Sequence, residues 1–254
     1  MTRRRSISAV VTLGLVLVLA HARGAAADQI TVLCSNGLKA VVEDLVPKFE
    51  RDSKHTVVVK YGLAAMLKQQ IENGEVFDVA FLTPAAIDDL VAHGKVGADT
   101  KTTIARSGLA LESRAGAKKP DVSTAEAFKR TLLNAKSIAY AKEGASGVAF
   151  AALIQRLGIA DALKSKSRLT ATGEEVSRSV VSGEVELGVL PLSEILPVKG
   201  AEVAGMFPPD VQSYIVMVGG VSAASRQAAA GRQLIAYLTT PAALAVIKAK
   251  GMEK

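Results

Sequence analysis

The chain has no tryptophan, a single cysteine, three histidines and only 4% aromatic residues among 254 positions. One thiol, Cys34, excludes an intrachain disulfide framework, and with His21, His55 and His93 scattered along the chain it excludes a Cys/His metal module of familiar spacing. Scarce aromatics remove the stacking platforms on which single-stranded nucleic acids are held. The most apolar run, Ala9 to Ala20, falls well short of the roughly 20 residues a membrane-spanning helix needs. Signatures of catalysis are missing too. No serine is flanked by glycine at both −2 and +2 or followed by lysine at +3, and there is no H-E-x-x-H, Walker loop or G-x-G-x-x-G. The residues thus predict a protein that is not an enzyme and carries no cofactor.

What is present is an aliphatic chain, 49% hydrophobic, large enough to bury real cores. It begins with an address. Arg3-Arg4-Arg5, the apolar Ala9 to Ala20 and Ala25-Ala26-Ala27 have the three-part layout of a secretory signal, so residues 1–27 are expected to be removed and the mature chain to be periplasmic. Those positions hold four of the 31 basic side chains and no acid, leaving 27 basic against 24 acidic in the remainder. The apparent basicity is mostly the signal, and the near-neutral mature chain argues against a nucleic-acid partner.

Beyond residue 28 the pattern alternates. Ile30–Leu33 reads as a buried strand, and Leu38, Val41, Val42, Leu45 and Phe49 recur at helical spacing. Thr56–Tyr61 and Val79–Leu82 are further strands, each followed by an amphipathic helix, and three such units in a row require parallel pairing. The rhythm breaks at the long extended segment Thr103–Glu112. It resumes with helix Thr124–Asn134 capped by Ser123, strand Ser137–Lys142, helix Gly147–Leu157, a short strand near Leu169, helix Glu174–Ser182 and strand Leu187–Leu190. Closing helices are predicted over Ser225–Leu238 and Pro241–Lys250. Asp88-Asp89 and Glu174-Glu175 are read as acids at helix starts, where the helix dipole favours them. An α/β protein of two lobes is the expected class.

In such sheets ligands sit beyond the carboxyl ends of the strands, where the next helices present free N–H groups. Four loops occupy those places: Cys34-Ser35-Asn36-Gly37, Gly62-Leu63-Ala64-Ala65, Glu143-Gly144-Ala145-Ser146-Gly147 and Thr172-Gly173-Glu174-Glu175-Val176. Their small residues let a ligand approach the backbone, and helix starts attract anions.

The segments ITVLCSNGLKAVVEDLVPKFE, VVVKYGLAAMLKQQIENGEVFDVAFLT, GASGVAFAALIQRLGI and VSRSVVSGEVELGVLPLSEIL, followed by YIVMVGGV, together resemble the periplasmic molybdate-binding-protein family of ABC transporters, over about Gln29 to Gly251. The resemblance implies a type II periplasmic binding-protein fold: two α/β lobes with mostly parallel sheets, joined by two crossing strands near Arg106–Leu109 and Ser213–Val216. It places one lobe at 28–107 with 215–254 and the other at 108–214. It also implies a monomer that closes over a small anionic ligand for an inner-membrane ABC permease. Carried onto this chain, the ligand-binding set is Ser35, Asn36 and Gly37 in the first loop; Leu63 and Ala64 in the second; Ala145, Ser146 and Gly147 in the third; Glu174 and Val176 in the fourth; and Pro191.

Three positions depart from the family. Gly37 stands where the family has a serine, Leu63-Ala64-Ala65-Met66 where its second loop is serine-rich, and Pro191 where it has a tyrosine. Each charged hydrogen bond not made costs an oxyanion about 1.5–3 kcal/mol. The expected ligand is therefore an organic di- or tricarboxylate ahead of molybdate, tungstate or sulfate, with Lys142 or Arg178 as counter-charge. A sensory role and an exported hydrolase are the alternatives.

Overall fold

The computed structural model describes residues 28–254, so the expected signal segment lies outside the described residues. Among the described residues nine strands form one continuous curled sheet, ordered β2-β1-β3-β9-β4-β7-β5-β6 with β8 also on β4. At one end β1 (Gln29–Ser35) pairs in parallel with β2 (Thr56–Gly62) and β3 (Val79–Leu82). At the other, β5 (Ile138–Ala141) pairs in parallel with β6 (Ser167–Thr170) and β7 (Leu187–Pro191). Between them run β4 (Thr102–Arg114) and β9 (Tyr214–Val221), antiparallel to each other and to their outer neighbours. β8 (Ala201–Met206) adds a further antiparallel edge to β4.

The broken rhythm at residue 103 has a physical cause. Along Thr102–Gly108, β4 pairs with β9; from Leu109 onward the same strand pairs with β7. One long strand therefore leaves the first lobe and enters the second without a helix to return it. The neighbouring rail is the chain's own tail: Arg106 and Glu253 exchange backbone hydrogen bonds of 2.7 and 2.8 Å, and their side chains are ion-paired.

The helices pack their apolar stripes on these sheets, as the periodicity requires. In α1 (Lys39–Ser53), Val41, Val42, Leu45 and Phe49 are buried on the first lobe; in α5 (Ala145–Arg156), Phe150, Leu153 and Ile154 are buried on the second. Flanking helices in the first lobe are α2 (Ala64–Glu72), α3 (Pro84–Ala92), α9 (Ala228–Tyr237) and α10 (Pro241–Ala249). In the second they are α4 (Ala125–Asn134), α6 (Ala160–Lys164), α7 (Gly173–Ser182) and α8 (Leu192–Ile195).

Several expectations are corrected at element boundaries. Thr124, not Ser123, caps α4, its hydroxyl accepting from the amide of Ala127 at 3.1 Å. α5 begins at Ala145, two residues before the expected Gly147, and α9 begins at Ala228 rather than Ser225. Asp88 and Asp89 lie past the first turn of α3, where they pair with Lys101 and Lys68 instead of meeting the helix start. α6 has no counterpart among the sequence expectations. Among the described residues, no helix is long and apolar enough to cross a membrane.

Candidate functional site

In parallel pairing, strands end on the same side. The register that sets Ser35 beside Gly62, and Ala141 beside Thr170, aligns the carboxyl ends of each triplet, and the curl of the sheet turns the two rows toward each other. Between them lies an inner cavity with about 20 Å³ of free space. From the first lobe it is lined by Ser35, Asn36, Leu63 and Ala64, with Ile215 and Met217 from β9; from the second by Ala141, Gly144, Ala145, Ser146, Gly173, Pro191 and Glu194. An outer cavity of about 280 Å³ adjoins it, lined by Lys39, Ala40 and Glu43 of α1, Glu174 and Ser177 of α7, and Ser193, Pro197 and Val198. Asn36, Gly173 and Glu194 line both.

Two helix starts face the inner cavity without a side-chain cap. α2 follows Leu63 and α5 follows Gly144, and neither residue supplies an oxygen to the first-turn amides. Free N–H groups at such ends are the ordinary means of holding a carboxylate or phosphate. Ser35 and Ser146, both buried, add hydroxyls from opposite lobes.

The fourth loop differs. Thr172 caps α7 by accepting from the Glu175 amide at 3.2 Å, and the Glu175 carboxylate accepts from the Ala171 amide at 3.0 Å. Acid, not free amide, surrounds this helix start. Glu174 is exposed and bonds Lys39 of the first lobe at 3.1 Å. Among the described residues Lys39 is the only cation lining either cavity, so the expected counter-charges are corrected: Arg178 lines a separate surface pocket with Arg168 and Glu184, and Lys142 is exposed and lines neither cavity.

Three of the expected contact residues hold other positions. Val176 is fully buried in the second lobe's core beside Val180 and Leu190, with its amide on the Thr172 carbonyl. A residue in the fourth position of a surface helix faces inward by periodicity, which is why it packs. Gly147 is buried against β5: a Cβ there would lie 1.8 Å from the Ala141 carbonyl oxygen, so its role is to seat α5 close to the strand. Gly37 is buried at the gap, but a side chain on it would meet the Met217 methyl at 2.7 Å. The serine absent from this position is thus replaced by a methionine from the crossing strand. Ser35, Asn36, Leu63, Ala64, Ala145, Ser146 and Pro191 line the inner cavity, and Glu174 the outer.

Sequence reasoning missed Glu194. It sits in α8, after β7, and its carboxyl crosses the gap: a Cβ on Gly173 would be 2.3 Å from one of its oxygens, and one on Gly37 would be 3.7 Å from the other. Burial, then repulsion from Glu174 and Glu112, push its carboxyl up to about 7. Glu112 of β4 is itself fully buried, with no hydrogen bond to either oxygen among the described residues, and burial raises it to about 7, eased by nearby Ser177. The signal available was positional: Pro191-Leu192-Ser193-Glu194 is a fifth strand-to-helix turn on the same side as the other four. Next to it the Ser193 hydroxyl donates to the Gly37 carbonyl at 3.0 Å, and its amide donates to Ser107 at 3.0 Å, so this turn directly bonds the lobes together. Burial also pushes the Cys34 thiol up, which leaves it an inert core residue.

Residues 30–253 match the family described as bacterial extracellular solute-binding protein. Aconitate isomerase of a Pseudomonas species is 31% identical over 234 residues, covering 88% of this chain and 87% of its own. The molybdate-binding protein ModA of Azotobacter vinelandii is 30% identical and covered to 95% on both sides. The solved structure of the periplasmic molybdate-binding protein from Azotobacter vinelandii superposes with a TM-score of 0.77 at 22% identity, over 89% of this chain and 99% of that one. Two lobes of this topology, facing each other across a gap edged by strand ends, agree with the sequence match along nearly the whole described chain: the protein belongs to the bacterial extracellular solute-binding protein family.

Proposed function

We propose that this chain is a periplasmic receptor that captures a small organic polyanion, a di- or tricarboxylate, between its lobes and presents it to an inner-membrane ABC permease. In this reading the mature chain acts as a monomer, with 28–107 and 215–254 forming one lobe and 108–214 the other. The observation that carries it is the makeup of the gap. Uncapped starts of α2 and α5 with Ser35 and Ser146 suit a carboxylate, whereas Gly37, Met217 and Glu194 occupy the side where a tetrahedral dianion would need hydroxyls. A longer anion suits the adjoining cavities, because its second carboxylate can lie toward Asn36 and Lys39.

The test is a thermal-shift panel of citrate, trans-aconitate, molybdate and sulfate on the mature protein. A ligand at 100 times its dissociation constant adds about 2.7 kcal/mol of stability. Citrate or trans-aconitate should raise the melting point. A rise with molybdate or sulfate alone would overturn the carboxylate assignment.

A second reading, an isomerase of an unsaturated tricarboxylate, is favoured by two observations: Glu194 places in the gap a carboxyl whose pKa burial pushes up to about 7, and a relative of 31% identity is named aconitate isomerase. Incubating the protein with trans-aconitate and separating the isomers by chromatography decides it. Turnover lost in Glu194→Gln supports catalysis, and unchanged trans-aconitate excludes it.

A further inference from the structure

Glu194 has an environment that no simple receptor for anions would choose by default. Its carboxyl divides the inner cavity from the outer and lies against Gly173, the first residue of α7. The charged groups facing it are Glu174 on α7, Glu112 on β4, and Lys39 and Glu43 on α1; Asn36 and Ser193 are its neutral polar neighbours. Lys39 is already engaged by Glu174 at 3.1 Å. Among the described residues the Glu194 carboxyl makes no hydrogen bond or ion pair, although part of the residue remains accessible to solvent. A glycine at 173 is what admits it, since any side chain there would collide at 2.3 Å.

We propose that Glu194 is the residue that selects the ligand of the gap, contacting it as a neutral acid and donating a hydrogen bond to a ligand carboxylate. This rests on the reading of the gap as a polycarboxylate site. Charge-assisted O–H···O⁻ bonds are short and strong, whereas the ionised side chain repels the same partner. The protein therefore takes up one proton per ligand captured whenever Glu194 is ionised beforehand. Burial and the two neighbouring acids hold that ionisation near pH 7, well above an ordinary glutamate, so the coupling falls within the working range.

The experiment is isothermal titration of trans-aconitate into wild type and Glu194→Gln from pH 6 to 8.5, in buffers of different ionisation enthalpy. Wild type should weaken toward tenfold per pH unit above about 7 and take up close to one proton at the alkaline end. Glu194→Gln retains a donor but no titration, so its affinity should be flat and its proton uptake lost. A flat wild-type profile, or an unchanged slope in Glu194→Gln, overturns the proposal while leaving the polycarboxylate site intact. No binding of trans-aconitate by either protein at any pH overturns both. Carbon-13 NMR of the glutamate carboxyls in ligand-free wild type is an independent check: a Glu194 midpoint near 4.5 sinks the assignment without reference to binding.

Discussion

α5 and α7 begin at the ends of neighbouring parts of the same half-sheet, yet they meet the gap in opposite ways. α5 opens from Gly144-Ala145-Ser146-Gly147 with no side-chain cap and no acid in its first turn; α7 opens from Thr172-Gly173-Glu174-Glu175, capped by threonine and surrounded by three carboxylates, counting Glu194. One start is left uncapped and the other is capped by the protein itself. Equivalent topology does not confer equivalent chemistry, because the residues of the first turn decide what the helix end will accept.

The largest break in this comparison should come from Gly147→Val. Its Cβ would lie 1.8 Å from a backbone oxygen that cannot move without displacing β5, so a loss of about 3 kcal/mol is expected in urea unfolding, the upper end for overpacking, together with loss of ligand binding. Of similar size is the pH dependence due to Glu112, packed beneath α7. Its carboxyl is raised from 4.5 to about 7, so the native state binds the proton more tightly than the unfolded chain. Its favourable contribution is present below pH 4.5 and disappears as pH rises to about 7, on the order of 3 kcal/mol in all. Unfolding curves of wild type should fall over that window, and Glu112→Gln should flatten the slope; an equal slope in the variant would refute the assignment.

Smaller effects sharpen the contrast. Thr172→Ala removes the α7 cap and should cost about 1 kcal/mol while leaving trans-aconitate affinity unchanged, since in the proposed reading the ligand is held by the starts of α2 and α5. An affinity loss of tenfold or more would show that α7 does take part. Lys39→Ala breaks the exposed pair with Glu174 and should change thermal stability by less than about 1 kcal/mol, less still in high salt.

Much of the fold was legible because it rests on periodicity. Val41, Val42, Leu45 and Phe49 announce α1, and Val79–Leu82 announces a strand buried on both faces. The strand-to-helix loops were legible for the same reason, and eight of the residues in those four loops line the inner cavity. What failed to appear were properties made by folding back. Nothing local tells Glu194 that it will lie on Gly173, or Met217 that its methyl will fill the space beside Gly37. Val176 turns from rim to core within one step of the helix, and Asp88-Asp89, with α3 opening at Pro84 as expected, fall past the first turn, where the free amides no longer reach them.

The bridge between Arg106 and Glu253 has a mechanical consequence. Because Glu253 splints β4 at Arg106, and Ser107 is tied to the Gly251 carbonyl at 3.0 Å, the proposed closure of the lobes should bend the few peptides that follow, around Gly108. In that reading the molecule would act as a pair of jaws with a short fulcrum, stiffened on one arm by residues 251–253. Loosening that splint should change how far the jaws swing before it changes what they bite.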